Sequence, residues 1–283
     1  MKEITRRDVA LLLDSVRERA PITANRLQGR LSRLFNFAAE RGVIDRSPVE
    51  RIPKPRETPK ERTLNDDEIR VFWKSIEDVG LDQGTIIALK LTLLLGQRPG
   101  EIVGAAKAEF DREAGWWTIP AERMKGAKMH RVPLPPLALA LIERAWTMSC
   151  DSAYLFPTQR GAGMDKPVAE HSLARAVSRK VGERQAGRKG DYAGLGMAKW
   201  TPHDLRRTAR TKWAEIGIDD VVAERLLSHI LQGMLAVYNR HTYDAEKRIA
   251  LEAWERHLCK IVGETSGPAT IIPLRTQRGA ARL

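Results

Sequence analysis

Two cysteines, Cys150 and Cys259, are too few for a disulfide framework and sit in no metal-ligand or redox spacing, which fits a reducing cytoplasm. Aromatic residues make up only 6% of the 283 residues, so aliphatic side chains are expected to dominate the core that a hydrophobic content of 42% allows. Long apolar runs are missing as well. The most apolar stretch, residues 85–96, is interrupted by Lys90 and is too short to span a bilayer. The N-terminus, MKEITRRDVALLLDSVRERA, lacks the layout of a signal peptide. There is no Walker-type glycine loop, no HExxH or CxxC metal spacing and no serine nucleophile elbow. Any chemistry is therefore expected to come from the chain's own side chains, with no metal, no cofactor and no membrane.

Positive charge is present in excess. Lys and Arg number 48 against 36 Asp and Glu, a net of +12, which points to a polyanionic partner such as DNA, RNA, an anionic membrane or an acidic protein. Residues 175–212 hold eleven Lys/Arg and three acidic residues, a net of +8 that looks like a phosphate-contacting surface. Arg175, Arg179, Lys180, Arg207 and Arg210 in that window, with Lys128, Arg26, Arg30 and Arg33 before it, are the candidate DNA contacts.

Residues 5–20 read as a helix, with Thr5 and Asp8 in capping-box spacing and Val9, Leu12, Leu13 and Val16 on its apolar face. Residues 23–41 read as a second, with Leu27, Leu31, Leu34, Phe35 and Ala38 together and Gly42 as its stop. Three prolines then alternate with charges in IPKPRETPK, the mark of an exposed, extended linker. Beyond it, residues 66–79 and 85–95 read as helices, Pro99 suits the first turn of another, and 110–119 and 129–134 read as short strands. From Pro136 to about Val262 the pattern is helical. The expected division is a helical segment at 1–50, a linker at 51–62, a mostly helical (α+β) domain with a small antiparallel sheet at 63–262, and a loose basic tail at 263–283.

Four local features could carry chemistry. In Thr201-Pro202-His203-Asp204-Leu205-Arg206, Thr201 can cap a helix that Pro202 starts, placing His203 and Arg206 at i and i+3 near an anion-favouring N-terminus. Arg98 follows the apolar run directly, and Glu101 is spaced to form a charge-assisted pair with it. Lys125, beside Gly126, falls between the two predicted strands. His229 precedes Tyr238 by nine residues, with Tyr243 as a second tyrosine. Each has a plainer explanation when taken alone: a solvated basic face, a structural Arg–Glu pair, a turn lysine, a surface tyrosine.

Taken in this order, Arg in GxRxxE, Lys in a hairpin, HxLR, then His nine residues before Tyr, the features resemble the tyrosine recombinases and phage integrases. The segments IPAERMK, HDLRR and AVYNR are closest to the integrases of temperate phages and genomic islands. The resemblance runs from about Thr63 to Val262. It implies a site-specific DNA recombinase in which Tyr238 attacks a phosphodiester to give a 3′-phosphotyrosine, without metal or ATP. Arg98, Arg206 and His229 would bind the phosphate, His203 would take the tyrosine proton, Lys125 would protonate the leaving oxygen, and Glu101 would buttress Arg98. It also implies double-stranded attachment-site DNA as partner, a tetramer on that DNA, DNA-bending accessory proteins, and residence in the bacterial nucleoid.

Two departures accompany the resemblance. Ser228 stands where the family has glycine, and residues 1–50 read as only the second half of the family's DNA-clamping domain. A type IB topoisomerase and an integrase remnant that only binds DNA are the competing readings. The last helix, near residues 248–262, packs either on a neighbouring protomer or on its own domain through Leu251, Trp254 and Leu258.

Overall fold

The computed structural model describes residues 4–58, 60–158, 165–180, 195–229 and 241–264, in two units, 1–61 and 62–283. In the first, helix α1 (Arg6–Arg19) begins at the expected capping box, with Asp8 and Thr5 bonding reciprocally. Helix α2 (Pro21–Glu40) starts two residues earlier than the sequence pattern suggests, because Pro21 takes its first position, where a missing N–H costs nothing. Val9, Leu13 and Val49 form a small core with Leu27, Leu31, Phe35 and Ile52. Leu12 and Leu34, expected on the apolar faces, are exposed instead, since two helices cover only one stripe of each other. The proline-rich stretch is extended, but α2 holds it: Gln28 donates to Ile52 O at 2.7 Å, and Asn25 to Pro55 O at 2.9 Å and to Glu57 at 3.0 Å.

The second unit is built around helix α4 (Gln83–Leu95), whose residues from Ile86 onward are all buried. Lys90 survives there because it pairs with Glu77 at 2.8 Å and lies 5.2 Å over the Trp73 ring. Trp73 belongs to α3 (Asp66–Ser75), which ends sooner than expected. Helix α5 (Pro99–Val103) follows α4 after a three-residue break.

A three-stranded antiparallel sheet comes next, β1 (Phe110–Asp111), β2 (Trp116–Ile119) and β3 (His130–Pro133), in that order. The single strand expected over residues 110–119 is thus two strands folded about a turn, in which Gly115 takes φ +67. Helix α6 (Pro136–Met148) leads into an irregular stretch that interrupts the expected helical run, and then come α7 (His171–Lys180), α8 (Pro202–Glu215), α9 (Asp220–Leu226) and α10 (Asp244–Val262). Leu251, Trp254 and Leu258 of α10 are fully buried in the core of this same unit, so the last helix packs on its own domain. The predicted basic tail lies outside the described residues from 265 onward. Among the described residues no helix is long and apolar enough to cross a membrane.

Gly96 ends α4 in the left-handed region at φ +66, and a Cβ there would meet the Trp213 ring at 2.5 Å. Gly96→Ala is expected to lower stability by about 2–4 kcal/mol, from overpacking together with left-handed strain. Denaturant midpoints check this; an unchanged midpoint would contradict the packing.

Candidate active site

Arg98 and Arg206 arrive from different elements. Arg98 caps α5, and Glu101, one turn on, receives its backbone N–H at 2.9 Å through Oε2 and its guanidinium at 2.6 Å through Oε1. The carboxylate is 6% exposed, and its Oε2 stands 4.0 Å from Nη1 of Arg206. One buried carboxylate therefore lies between two guanidiniums, as the Arg–Glu spacing foretold for the first and did not foretell for the second.

Arg206 sits on α8, which begins with Pro202 in first position as the sequence predicts, and the Thr201 N–H and hydroxyl both donate to Asp204 Oδ2 at 2.8 Å. Its guanidinium donates to Gly96 O at 2.8 Å and Leu227 O at 2.7 Å, and Nη2 lies 3.1 Å from His229 Nε2. Burial, and then repulsion from Arg98, push Arg206 down to about 10, so it keeps its charge at neutral pH. His203 lies one turn earlier, with solvent on one side. Partial burial, reinforced by Arg206, holds its imidazole below the ordinary value, while Glu170 and Asp204 act the other way. Both site arginines thus disfavour a positive charge on this ring. Glu170 lies over α5 only because Gly100 has no side chain: a Cβ there would come within 2.8 Å of it.

Arg98, Glu101, Arg206 and His229 are thus brought into one constellation, with His203 beside it. Lys125 and Lys128 lie on the exposed connection between β2 and β3 and make no hydrogen bond or ion pair with the described residues. Tyr238 lies outside the described residues. Tyr243 caps α10 with φ +57, its ring 4.6 Å from that of His241 and 5.7 Å from the Arg225 guanidinium. Of the candidate DNA contacts, Arg26, Arg30 and Arg33 form one exposed stripe on α2, and Arg175 and Arg179 are exposed on α7, whereas the Lys180 side chain is not described. Arg207 and Arg210 are part-exposed on α8 and carry ion pairs. Arg207 pairs with Asp204 and donates to Arg62 O at 3.1 Å, and Arg210 pairs with Asp220 at 2.7 Å and Glu224 at 3.0 Å. Their acidic partners lie on their own and a neighbouring helix, and both side chains stay part-exposed.

Sequence reasoning missed the supports of the α9 end. His130 on β3 bonds Leu226 O at 3.0 Å through Nε2, and Gln97 donates to the same oxygen at 2.9 Å. His130 falls within the predicted strand 129–134, and its partner carbonyl is 96 residues away, beyond the reach of any local spacing. Burial, with Lys247 and the two site arginines nearby, pushes His130 down to about 3. The unfolded chain binds a proton near pH 6.5 and the folded chain does not until about pH 3, so stability falls as pH drops through that window. His130→Gln keeps an N–H donor for Leu226 and is expected to remove up to about 1.4 kcal/mol per pH unit of that slope. Unfolding free energies of both proteins at pH 7, 6 and 5 check this, and equal slopes would contradict it.

The Phage integrase family model matches residues 62–245. "Prophage integrase IntZ" of Escherichia coli K12 is 28% identical over 271 residues, 94% of this chain and 63% of that protein. The "Integrase" of Enterobacteria phage P4 is 28% identical over 83% of this chain and 54% of its own length. This chain therefore spans little more than half to two-thirds of those relatives. In fold it is similar to lambda integrase, crystallised as a tetramer bound to a Holliday junction, with a TM-score of 0.63, 18% identity, and coverage of 83% of this chain and 66% of that one. With the family model covering well over half of its residues and the arginine pair built as described, the chain belongs to the phage integrase family.

Proposed function

We propose that this protein is a tyrosine-type site-specific DNA recombinase, cutting and rejoining DNA for the integration or excision of a mobile element. The observation that carries the reading is the pair of guanidiniums, Arg98 and Arg206, held about one buried carboxylate with two histidines alongside. The transition state of phosphoryl transfer gathers charge on the non-bridging oxygens, and preorganised cations in a partly buried site stabilise it. A phenol ordinarily titrates near pH ~10, so Tyr238 needs a base and a cationic site to act at neutral pH.

In this reading the Tyr238 oxygen bonds to phosphorus as the P–O5′ bond breaks. The phenol proton passes to His203, and the departing 5′ oxygen takes a proton from Lys125. The phosphotyrosine keeps the bond energy, and a 5′-hydroxyl of a partner strand reverses the step. Arg26, Arg30, Arg33, Lys128, Arg175, Arg179, Lys180, Arg207 and Arg210 are proposed to contact the backbone of attachment-site DNA, and four protomers to assemble on two sites, a reading supported by the lambda integrase tetramer bound to a Holliday junction. Accessory DNA-bending proteins and action within the bacterial nucleoid belong to the same proposal.

Nicked suicide duplexes taken from the flanks of the gene, with an SDS-stable protein–DNA adduct as readout, test this. Wild type is expected to form the adduct, Tyr238→Phe to lose it and Tyr243→Phe to keep it. Arg98→Ala is expected to slow it by about 10²–10³-fold. Loss only in Tyr243→Phe would reassign the nucleophile. Duplex binding in a gel shift with no adduct from wild type would favour a protein that only binds DNA.

A further inference from the structure

Glu224 lies on α9, five residues before His229. The helix ends by folding back on itself: Ser228 takes φ +51, and His229 N–H donates to Glu224 O at 3.0 Å. That reversal sets the imidazole beside the Glu224 side chain. Oε2 of Glu224 meets His229 Nδ1 at 2.5 Å, and Oε1 accepts from Arg210 Nε at 3.0 Å. Burial pushes this carboxyl up, but the hydrogen bonds from His229 and Arg210 outweigh it and hold Glu224 below the ordinary carboxylate range. The other edge of the ring faces Nη2 of Arg206 at 3.1 Å. A guanidinium only donates and a carboxylate only accepts. The two contacts together fit one form of His229, with the proton on Nδ1 and the lone pair on Nε2.

We propose that Glu224 is a positioning residue of the phosphate site: it fixes His229 as the Nδ1–H tautomer, with Nε2 turned to Arg206, and its charge stabilises the imidazolium that His229 becomes when it donates to phosphate. A phosphate oxygen offers only lone pairs, so an unprotonated Nε2 has nothing to give it. One proton taken from solvent onto Nε2 as the phosphate binds makes His229 a donor and ends its acceptance from Arg206, whose N–H then turns to the same phosphate. The charges that govern this step are Arg206 and Arg210 from α8 and Glu224 and Asp220 from α9, with Arg98 and Glu101 behind Arg206. Arg210 braces Glu224 from behind. The phosphate half of the inference rests on the proposed function; the tautomer half does not.

The test uses the full chain labelled with ¹⁵N-histidine, read by NMR above the histidine titration range, with the His229 signals identified by their loss in His229→Asn. Wild type is expected to show Nδ1–H. Glu224→Ala is expected to move His229 toward Nε2–H, and Glu224→Gln, whose amide oxygen still accepts, to restore the wild-type form. On the nicked duplexes both variants are expected to form the adduct about 10–100-fold more slowly, the range found for partners that orient metal-bound histidines, with gel-shift affinity unchanged. An Nε2–H tautomer in wild type, or no change in Glu224→Ala, would overturn the positioning role. Full-rate cleavage by the near-isosteric Glu224→Gln would overturn the role of the charge. If wild type itself forms no adduct, the proposed function fails, while the tautomer measurement, which needs no DNA, still decides whether Glu224 sets His229.

Discussion

A guanidinium buried in protein needs hydrogen-bond acceptors, and Arg206, 8% exposed, finds two of them in backbone carbonyls. Its bonds to Gly96 O and Leu227 O tie the end of α4 to the end of α9 through the middle of α8. The same side chain then has its charge directed at the space between Arg98 and His229. Two like charges this close repel, and Glu101 between them offsets the repulsion with one carboxylate. One carboxylate shared by two guanidiniums leaves this pair with a net positive charge, which suits an anionic ligand.

The end of α9 shows the same economy of parts. A helix C-terminus leaves carbonyls without intrahelical partners. Here His130 and Gln97 answer Leu226 O, and Arg206 answers Leu227 O. Three elements thus meet at the turn from which His229 emerges. Neutral His130 at this position adds no further positive charge beside the arginines, which its burial enforces.

Local rules made part of this legible. The capping box at Thr5, Pro99 and Pro202 at the starts of α5 and α8 and the Arg98–Glu101 pair all act within one helical turn, where spacing decides contact. Distance along the chain hid the rest. The basic run around Arg207 and Arg210 did not show that Asp204 pairs with the first and Asp220 and Glu224 with the second. Glu224 meets His229 only because the backbone reverses at Ser228, a conformation that no periodicity announces. Leu12 and Leu34 fit an apolar face by period and lie exposed, because only two helices share that small core.

The central claim is that Arg98 and Arg206 act by neutralising phosphate charge. Its most direct test is the adduct-formation rate of Arg98→Ala on a duplex whose scissile phosphate carries a methylphosphonate, which removes one negative charge. If charge neutralisation is the role of Arg98, its loss will cost far less on the methylphosphonate than on the phosphate. An equal loss on both substrates would contradict that role and leave Arg98 as a structural partner of Glu101.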